Sequence, residues 1–378
     1  LTSWKIKERP EDFVVEELLS VSHTRDDHVV FTLEKTNWDT IAAIKAVARA
    51  LGISQKRLGY AGLKDRRALT RQKVSVRDIE RAQVERVNLP RLRILDIERG
   101  DRIRLGDHRG NRFEVLVRNA AVTPQDMEKI EKGFPNYFGV QRFGEVRPIT
   151  HLVGRELIRQ NFDEAVLIFL AKPFPRDPHY EVRRRLWETR DFKKAKKEYP
   201  MSLKYERAML DQIHKGSIEA MKALPLRLAT LFIHAYQASI FNEIVKRRCE
   251  VLPLREVEEG DIIISYLNNR RVFTLAGAHN MDRIQRDGLC AAAPIVGYKT
   301  QVRGRMKSLT DSVLEEEGIT REDFKLNQLK VLSSRGTYRE IVATPSTLSY
   351  ENVKEGVWLR FSLPRGQYAT VLLDYLFS

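Results

Sequence analysis

The sequence predicts a mixed α+β fold, and three observations carry that prediction. Short β-branched and aromatic runs come first, without regular alternation with helices; helical spacing takes over from about His151; strand character returns near Leu329. With 378 residues, 42% of them hydrophobic, the chain can bury a substantial interior, and two domains are the natural expectation.

In order, Phe13 to Glu17 and Val29 to Glu34 read as strands separated by a polar turn at Ser22 to Asp27. Asp39 or Thr40 caps a helix through about Leu51, with Ile41, Ile44, Val47, Ala48 and Leu51 on one face and Gly52 ending it. Val74 to Val76, Leu92 to Ile97, Ile103 to Leu105 and Arg112 to Arg118 read as further strands, and Pro124 opens a helix through Lys132. Helical spacing then marks Asp163 to Leu170, Val182 to Glu188, Ser202 to His214 and the long stretch Arg227 to Arg248. Strands are expected again at Asp261 to Tyr266 and Arg271 to Leu275, a helix at Leu309 to Glu317, and strands through Gly336 to Ala343 and Val357 to Leu363.

Charge narrows the partners. Lys plus Arg number 66 against 51 Asp plus Glu, a net charge of +15 that favours a polyanion; RNA, DNA and an anionic membrane all fit on charge alone. The densest basic runs are Arg183-Arg184-Arg185 and Lys193-Lys194-Ala195-Lys196-Lys197, which read either as solvated helix faces or as phosphate-attracting surface. No apolar run reaches the roughly 18 residues of a membrane span, and Leu1 to Glu17 is charged rather than a leader, so a cytoplasmic protein is expected. Because the chain starts at Leu1 without Met, a few native residues are expected to precede it. Cys249 and Cys290 are too far apart for a C-x-x-C motif, the histidines form no H-E-x-x-H pair, and no phosphate-binding glycine loop occurs. Neither a metal nor a cofactor is expected.

The stretch Gly59-Tyr60-Ala61-Gly62-Leu63-Lys64-Asp65-Arg66-Arg67-Ala68-Leu69-Thr70-Arg71-Gln72 sets one carboxylate among Lys64, Arg66, Arg67 and Arg71 beside two glycines that permit positive φ or close backbone approach. Such cations would keep Asp65 ionised. Alone, the stretch reads first as a surface turn whose charges satisfy one another. It resembles the G-x-K-D-x-x-A-x-T-x-Q signature of the TruD family of pseudouridine synthases, in which the aspartate is catalytic. Four further stretches resemble that family in its own order: Lys7 to Glu16 (K-x-x-P-E-D-F-x-V-x-E), Pro135 to Gly144 (N-Y-F-G-x-Q-R-F-G), Ala235 to Asn242 (A-Y-Q-S-x-x-F-N, with Ala238 in place of Ser) and Phe361 to Thr370 (F-x-L-P-x-G-x-Y-A-T). Asp374-Tyr375 then stands where Arg-Glu is common.

The resemblance implies a mainly antiparallel pseudouridine synthase core of residues 1–150 plus 330–378, with a helix-rich α+β domain, 151–329, inserted. It implies tRNA as the substrate, position 13 as the usual target, and no obligatory protein partner. Pseudouridine formation breaks the bond from ribose C1′ to uracil N1 and rejoins C1′ to C5, without metal or redox chemistry. Asp65 is the candidate to start it, either as a nucleophile at C1′ or as a base at C2′. The family places Lys7 beside that carboxylate; on its own it reads as an exposed lysine at a strand start. A uridine in folded RNA must leave its stack, and Phe138 is the candidate to receive the base, although a buried ring in a turn is the plainer reading of N-x-F-G. Asn136 is expected to fix either the nucleotide or its own loop; Gln141 and Arg142 to bind phosphate or orient Asp65; Gln72 to read the RNA backbone. An RNA chaperone that performs no reaction and a hydrolase releasing uracil are the competing readings.

Overall fold

Alternation shapes the first sheet: Phe13 and Val15 are buried while Val14 and Glu16 are half-buried, as one face of a strand requires. A computed structural model describes residues 4–267 and 270–377; Leu1, where the sequence begins, lies outside them. In chain order the strands are β1 (Phe13–Leu18), β2 (His28–Thr36), β3 (Leu58–Tyr60), β4 (Leu69–Arg77), β5 (Leu92–Gly100), β6 (Gly110–Arg118), β7 (Phe134–Pro135), β8 (Ile262–Leu267), β9 (Arg270–Leu275), β10 (Ala291–Ile295), β11 (Thr337–Glu340), β12 (Val342–Ala343), β13 (Ser346–Val353) and β14 (Gly356–Pro364). The fold is mixed α+β with mainly antiparallel sheets. It forms two compact units, Leu1–Phe134 with Ala343–Ser378, and Pro135–Val342. The sequence reading divides the chain at 151 and 329, where helical spacing starts and stops; compactness divides it where the backbone passes through β7 and β12.

The first unit is a sheet in the order β13-β14-β6-β1-β4-β2-β5, with β3 also pairing with β4. Its pairs are antiparallel except β1 with β4. The helix Thr40–Ala50 starts where Asp39 accepts a hydrogen bond from Ala42 N at 3.0 Å. It lays Ala43, Ile44, Val47 and Ala48 against Val29, Phe31 and Leu33 of β2 and Val74 and Val76 of β4. Ile103 to Leu105, expected as a strand, is a loop: Ile103 is buried, but its N–H donates to the Ser75 hydroxyl at 2.9 Å rather than to a ladder.

The second unit is organised by the helix Leu226–Val251, which buries Phe232, Ile233, Tyr236, Ile240, Phe241 and Ile244. Gly154, in the helix Thr150–Ile158, sits where an added Cβ would lie 2.0 Å from Phe232 O, so the two helix backbones come closer than any side chain allows. A four-stranded sheet, β11-β10-β8-β9, completes the unit. The basic runs are mostly neutralised. Arg183 is 2% exposed and pairs with Asp177 and Glu206, each at 2.7 Å. Arg184 and Arg185 pair with Glu188 and Glu198, and Lys194 and Lys196 with Glu198 and Asp211. Arg183 is therefore structural, while Arg184 and Arg185 stay at the surface in ion pairs with neighbouring glutamates. Among the described residues no helix is long and apolar enough to cross a membrane.

Gly154→Ala tests the close helix crossing. Alanine improves helix propensity by about 1 kcal/mol, but a Cβ 2.0 Å from a carbonyl oxygen forces the backbones apart. A net loss of roughly 1–3 kcal/mol is expected from overpacking, read as a lower melting temperature; a variant as stable as the parent would refute the contact.

Candidate active site

Register decides which residues meet. Val14 of β1 pairs with Leu69 of β4 in parallel, and Thr36 of β2 pairs with the same Leu69 in the antiparallel direction. The lead-in to β1, the lead-in to β4 and the last residues of β2 therefore converge at one end of the sheet. Those segments carry Lys7, Asp65 and Lys35.

The loop 61–68 between β3 and β4 is held from beneath. Gly59 brings the chain in close, since a Cβ there would lie 2.3 Å from Ile103 O; neither Gly59 nor Gly62 uses positive φ. Lys64 turns inward to Glu17, the charged residue on the buried side of β1, with Nζ 2.6 Å from Oε1 and both side chains almost fully enclosed. Breaking such a pair from one side costs about 3–5 kcal/mol, because the remaining charge is stranded. The Lys64 N–H donates to Thr40 Oγ1 at 2.9 Å, and Gln72 Nε2 donates to Gly62 O at 3.1 Å. Lys35, without solvent exposure, donates from Nζ to Trp38 O at 2.6 Å and to Asp65 O at 2.9 Å. Burial pushes Lys35 down to about 8 against the support of Asp65 and Asp39, with Lys64 adding to the depression.

With its backbone fixed in this way, Asp65 extends its carboxylate to Lys7: Nζ lies 2.6 Å from Oδ2, and the side chains retain 17% and 27% exposure. The pair is thus oriented yet open to a ligand. Lys7 occupies the left-handed region at φ 58°, a conformation that costs a non-glycine residue about 1–3 kcal/mol and persists where the surroundings enforce it. Its ammonium also sits 4.2 Å from the Phe13 ring centre. Asp12 anchors the turn between them: burial opposes its charge, but Arg118 and the Arg9 N–H outweigh that and hold the carboxyl below its usual range. Three of the cations near Asp65 in sequence have partners elsewhere. Lys64 is spent on Glu17, Arg71 on Glu34 at 2.8 Å, and Arg67 reaches the Glu8 carbonyl. Lys7 pairs with the Asp65 carboxylate, and Lys35 lies under its backbone.

Gln72 is 1% exposed with its amide committed to the Gly62 carbonyl and the Thr40 hydroxyl. Buried and bonded in this way it shapes the loop, a geometry different from the RNA-backbone contact expected of it.

Asn136, Phe138, Gln141 and Arg142 belong to the second unit. Asn136 is 4% exposed; Nδ2 donates to Glu340 O at 2.9 Å, and Oδ1 accepts from Arg339 Nη2. Of its two expected roles, that of fixing its own loop matches this geometry. Phe138 is held at both backbone groups by Asn242, whose Oδ1 accepts from its N–H at 2.8 Å and whose Nδ2 donates to its carbonyl at 2.9 Å. The half-buried ring stands edge-on to Phe241 at 5.5 Å and carries the Arg339 guanidinium at 4.2 Å from its centre. Arg142 lies 5.6 Å from the same centre, and Gln141 is exposed. Three residues escaped the sequence reading. Lys35 ends a strand as an ordinary exposed lysine would, Arg339 lies in no quoted motif, and Asn242 closes the A-Y-Q-A-S-I-F-N stretch without a role assigned to it.

The family model described as tRNA pseudouridine synthase D (TruD) matches residues 2–375. The chain is similar to the probable tRNA pseudouridine synthase D of Thermococcus gammatolerans, at 38% identity over 98% of this chain and 93% of that protein. A protein of the same description from Archaeoglobus fulgidus is 37% identical, with the same coverage. Among solved structures, the putative tRNA pseudouridine synthase D (TruD) of Methanosarcina mazei superposes with a TM-score of 0.82 at 31% identity, over 99% of this chain and 93% of that one.

Lys35→Met leaves the Trp38 and Asp65 carbonyls without their donor, at about 1–3 kcal/mol for each unsatisfied group, measurable by urea unfolding at neutral pH. The pH dependence has a definite sign. Between about pH 8 and the ordinary lysine value of 10.5 the unfolded chain holds a proton that the folded chain has released, so the Lys35 contribution to stability rises across that window. The stability gap between parent and variant is expected to widen from pH 8 to 10.5; a gap that narrows would contradict the assignment.

Proposed function

This chain belongs to the tRNA pseudouridine synthase D family, and from that membership we propose that it isomerises a uridine of tRNA to pseudouridine, with Asp65 starting the reaction. The observation that carries the residue assignment is the partly open Lys7–Asp65 pair at 2.6 Å. We further propose that Leu1–Phe134 with Ala343–Ser378 is the catalytic core and Pro135–Val342 the inserted domain of the family. The absence, among the described residues, of a helix able to cross a membrane is consistent with work in the cytoplasm, where tRNA is processed.

The reaction asks little beyond placement and charge. The C1′–N1 bond of the target nucleoside breaks, the base turns, and C1′ bonds to C5; the C5 proton is lost and N1 gains one, so composition is unchanged. Asp65 serves either as the nucleophile that traps C1′ or as the base that removes the C2′ proton. Lys7 holds one carboxylate oxygen by a charge-assisted hydrogen bond, which fixes the direction of the other. The Lys35 bond to the Asp65 carbonyl keeps the backbone from yielding when the side chain is loaded. Phe138, locked by Asn242, offers a preset ring for an RNA base, worth about 1–3 kcal/mol. Exposed Gln141 and half-buried Arg142, three and four residues further on, are proposed to meet phosphate. By the family resemblance the target is position 13.

Incubation with defined tRNA transcripts, followed by carbodiimide-stop primer extension, reads activity and position together. Asp65→Asn is expected to lower the rate at least about a thousandfold with tRNA affinity unchanged. Lys7→Met should lower kcat with KM within about twofold, since the variant removes orientation rather than binding. Isomerisation at the parental rate by Asp65→Asn would end the assignment. Chromatography of the digested product distinguishes pseudouridine from free uracil, the product of a hydrolase, and from unchanged uridine, the outcome for a chaperone.

A further inference from the structure

The loop of residues 101–109, between β5 and β6, is a feature that the reaction leaves unused. Its tip is a tight turn. The Asp107 carboxylate accepts from the Arg104 N–H at 2.7 Å, the Asp107 N–H donates to Arg104 O at 3.1 Å, and Gly106 supplies a φ of 97° at the third position. Arg365 Nη1 donates to Gly106 O at 2.7 Å and braces the tip. Leu105 is presented there, 61% exposed.

The turn is built onto the loop that carries Asp65. The Gly106 N–H donates to Ala61 O at 2.8 Å, and an added Cβ at Gly62 would lie 3.1 Å from His108 Cε1 and 3.3 Å from Lys64 Nζ. Alternation settles the side of the sheet. Phe13 and Glu17 project from the same face of β1; Lys7 covers the Phe13 ring and Lys64 pairs with Glu17, so the Lys7–Asp65 pair and the turn share that face. Leu63, midway between Ala61 and Asp65, is 63% exposed. Two large apolar side chains thus stand in water on adjoining loops beside the candidate site.

Charge selects the occupant. Arg104 and Arg365 are exposed, and among the described residues neither forms an ion pair. The acids of the loop are turned to other donors: Asp107 closes the turn, and Asp101 accepts from the Ser22 hydroxyl and from the N–H groups of Thr24, Arg25 and Asp26. Apolar side chains beside uncommitted arginines suit a nucleic-acid strand opened at one nucleotide, because eversion of that nucleotide bares the faces of its neighbours.

We propose that the turn 104–107, Arg365 and Leu63 form a contact surface for the RNA strand that carries the target uridine. Leu63 and Leu105 pack against the nucleosides beside it, and Arg104 and Arg365 take phosphates. The proposal rests on the pseudouridine synthase reading for the identity of the RNA.

The test is fluorescence anisotropy of an end-labelled tRNA transcript across a salt series, with the full chain. Arg104→Gln with Arg365→Gln is expected to make the fall of log affinity with log salt shallower by about 0.7–0.9 for each arginine. Leu63→Ala with Leu105→Ala should weaken binding about fivefold to a hundredfold at every salt concentration, with the slope unchanged. Both pairs should raise KM for isomerisation. Arg365→Lys keeps the charge and should keep the slope, while Leu105→Met keeps the apolar bulk and should keep the affinity; with melting temperatures unchanged, these variants separate contact from folding. Parental affinity and slope in both double variants would overturn the proposal. So would a parent that sediments as a dimer and a leucine variant that sediments as a monomer with unchanged RNA affinity, since the occupant would then be a second copy. A parent whose tRNA binding depends on these residues but that yields no pseudouridine leaves the surface standing and removes the reaction. Pseudouridine formed at unchanged KM by both double variants does the reverse.

Discussion

The parallel pairing of β1 with β4 is the constraint on which the candidate site depends. In a sheet otherwise built of antiparallel pairs, it turns two lead-in segments toward the same end, and the antiparallel β2 delivers its last residues there. A one-residue slip of β1 would turn Phe13 and Val15 outward and withdraw Glu17 from Lys64. The buried Glu17–Lys64 pair therefore acts as a register lock. Its contribution to net stability is doubtful for a buried ion pair in general, but its penalty for misalignment is not.

Above that lock the site is layered by burial. Lys64 and Glu17 are enclosed, Lys35 is enclosed but bonded to carbonyls, and Lys7 with Asp65 is partly open. Three lysines thus perform three tasks set by depth: fixing register, bracing backbone and presenting a carboxylate. The second unit repeats the logic, with Asn136 and Asn242 satisfying loop backbone so that the Phe138 ring stands in one place. A buried amide committed to backbone is well suited to positioning and poorly suited to meeting a ligand, which is why Gln72 and Asn136 belong to the frame.

Much of this was legible in the sequence. Alternation and capping located β1, β2 and the helix Thr40–Ala50, because local preference and tertiary burial agree there. The motif residues Lys7 and Asp65 lie 58 positions apart, and only the resemblance could join them; composition could not. Charge adjacency is an incomplete guide: Lys64 and Arg71 neighbour Asp65 along the chain, yet strand direction and a buried acid on β1 redirect Lys64, and cross-strand Glu34 takes Arg71. Likewise Arg183-Arg184-Arg185 reads as one basic patch, while helical geometry sends Arg183 inward to Asp177 and Glu206. Lys35 was hidden for a similar reason, since nothing local distinguishes a buried lysine at a strand end from an exposed one.

Strand β14 completes its sheet by pairing along β6 from Gly356 opposite Arg118 to Pro364 opposite Gly110. Between those two strands the chain makes the entire second unit. During synthesis, β6 therefore waits with an unsatisfied edge while Pro135–Val342 is translated and gathers its own core. Closure of the first unit's sheet is thus tied to a segment translated only after the whole second unit. A product cut short before β14 would carry the Lys7 and Asp65 segments on an open, sticky sheet, so the topology ties the candidate site to translation of the strand that follows the second unit.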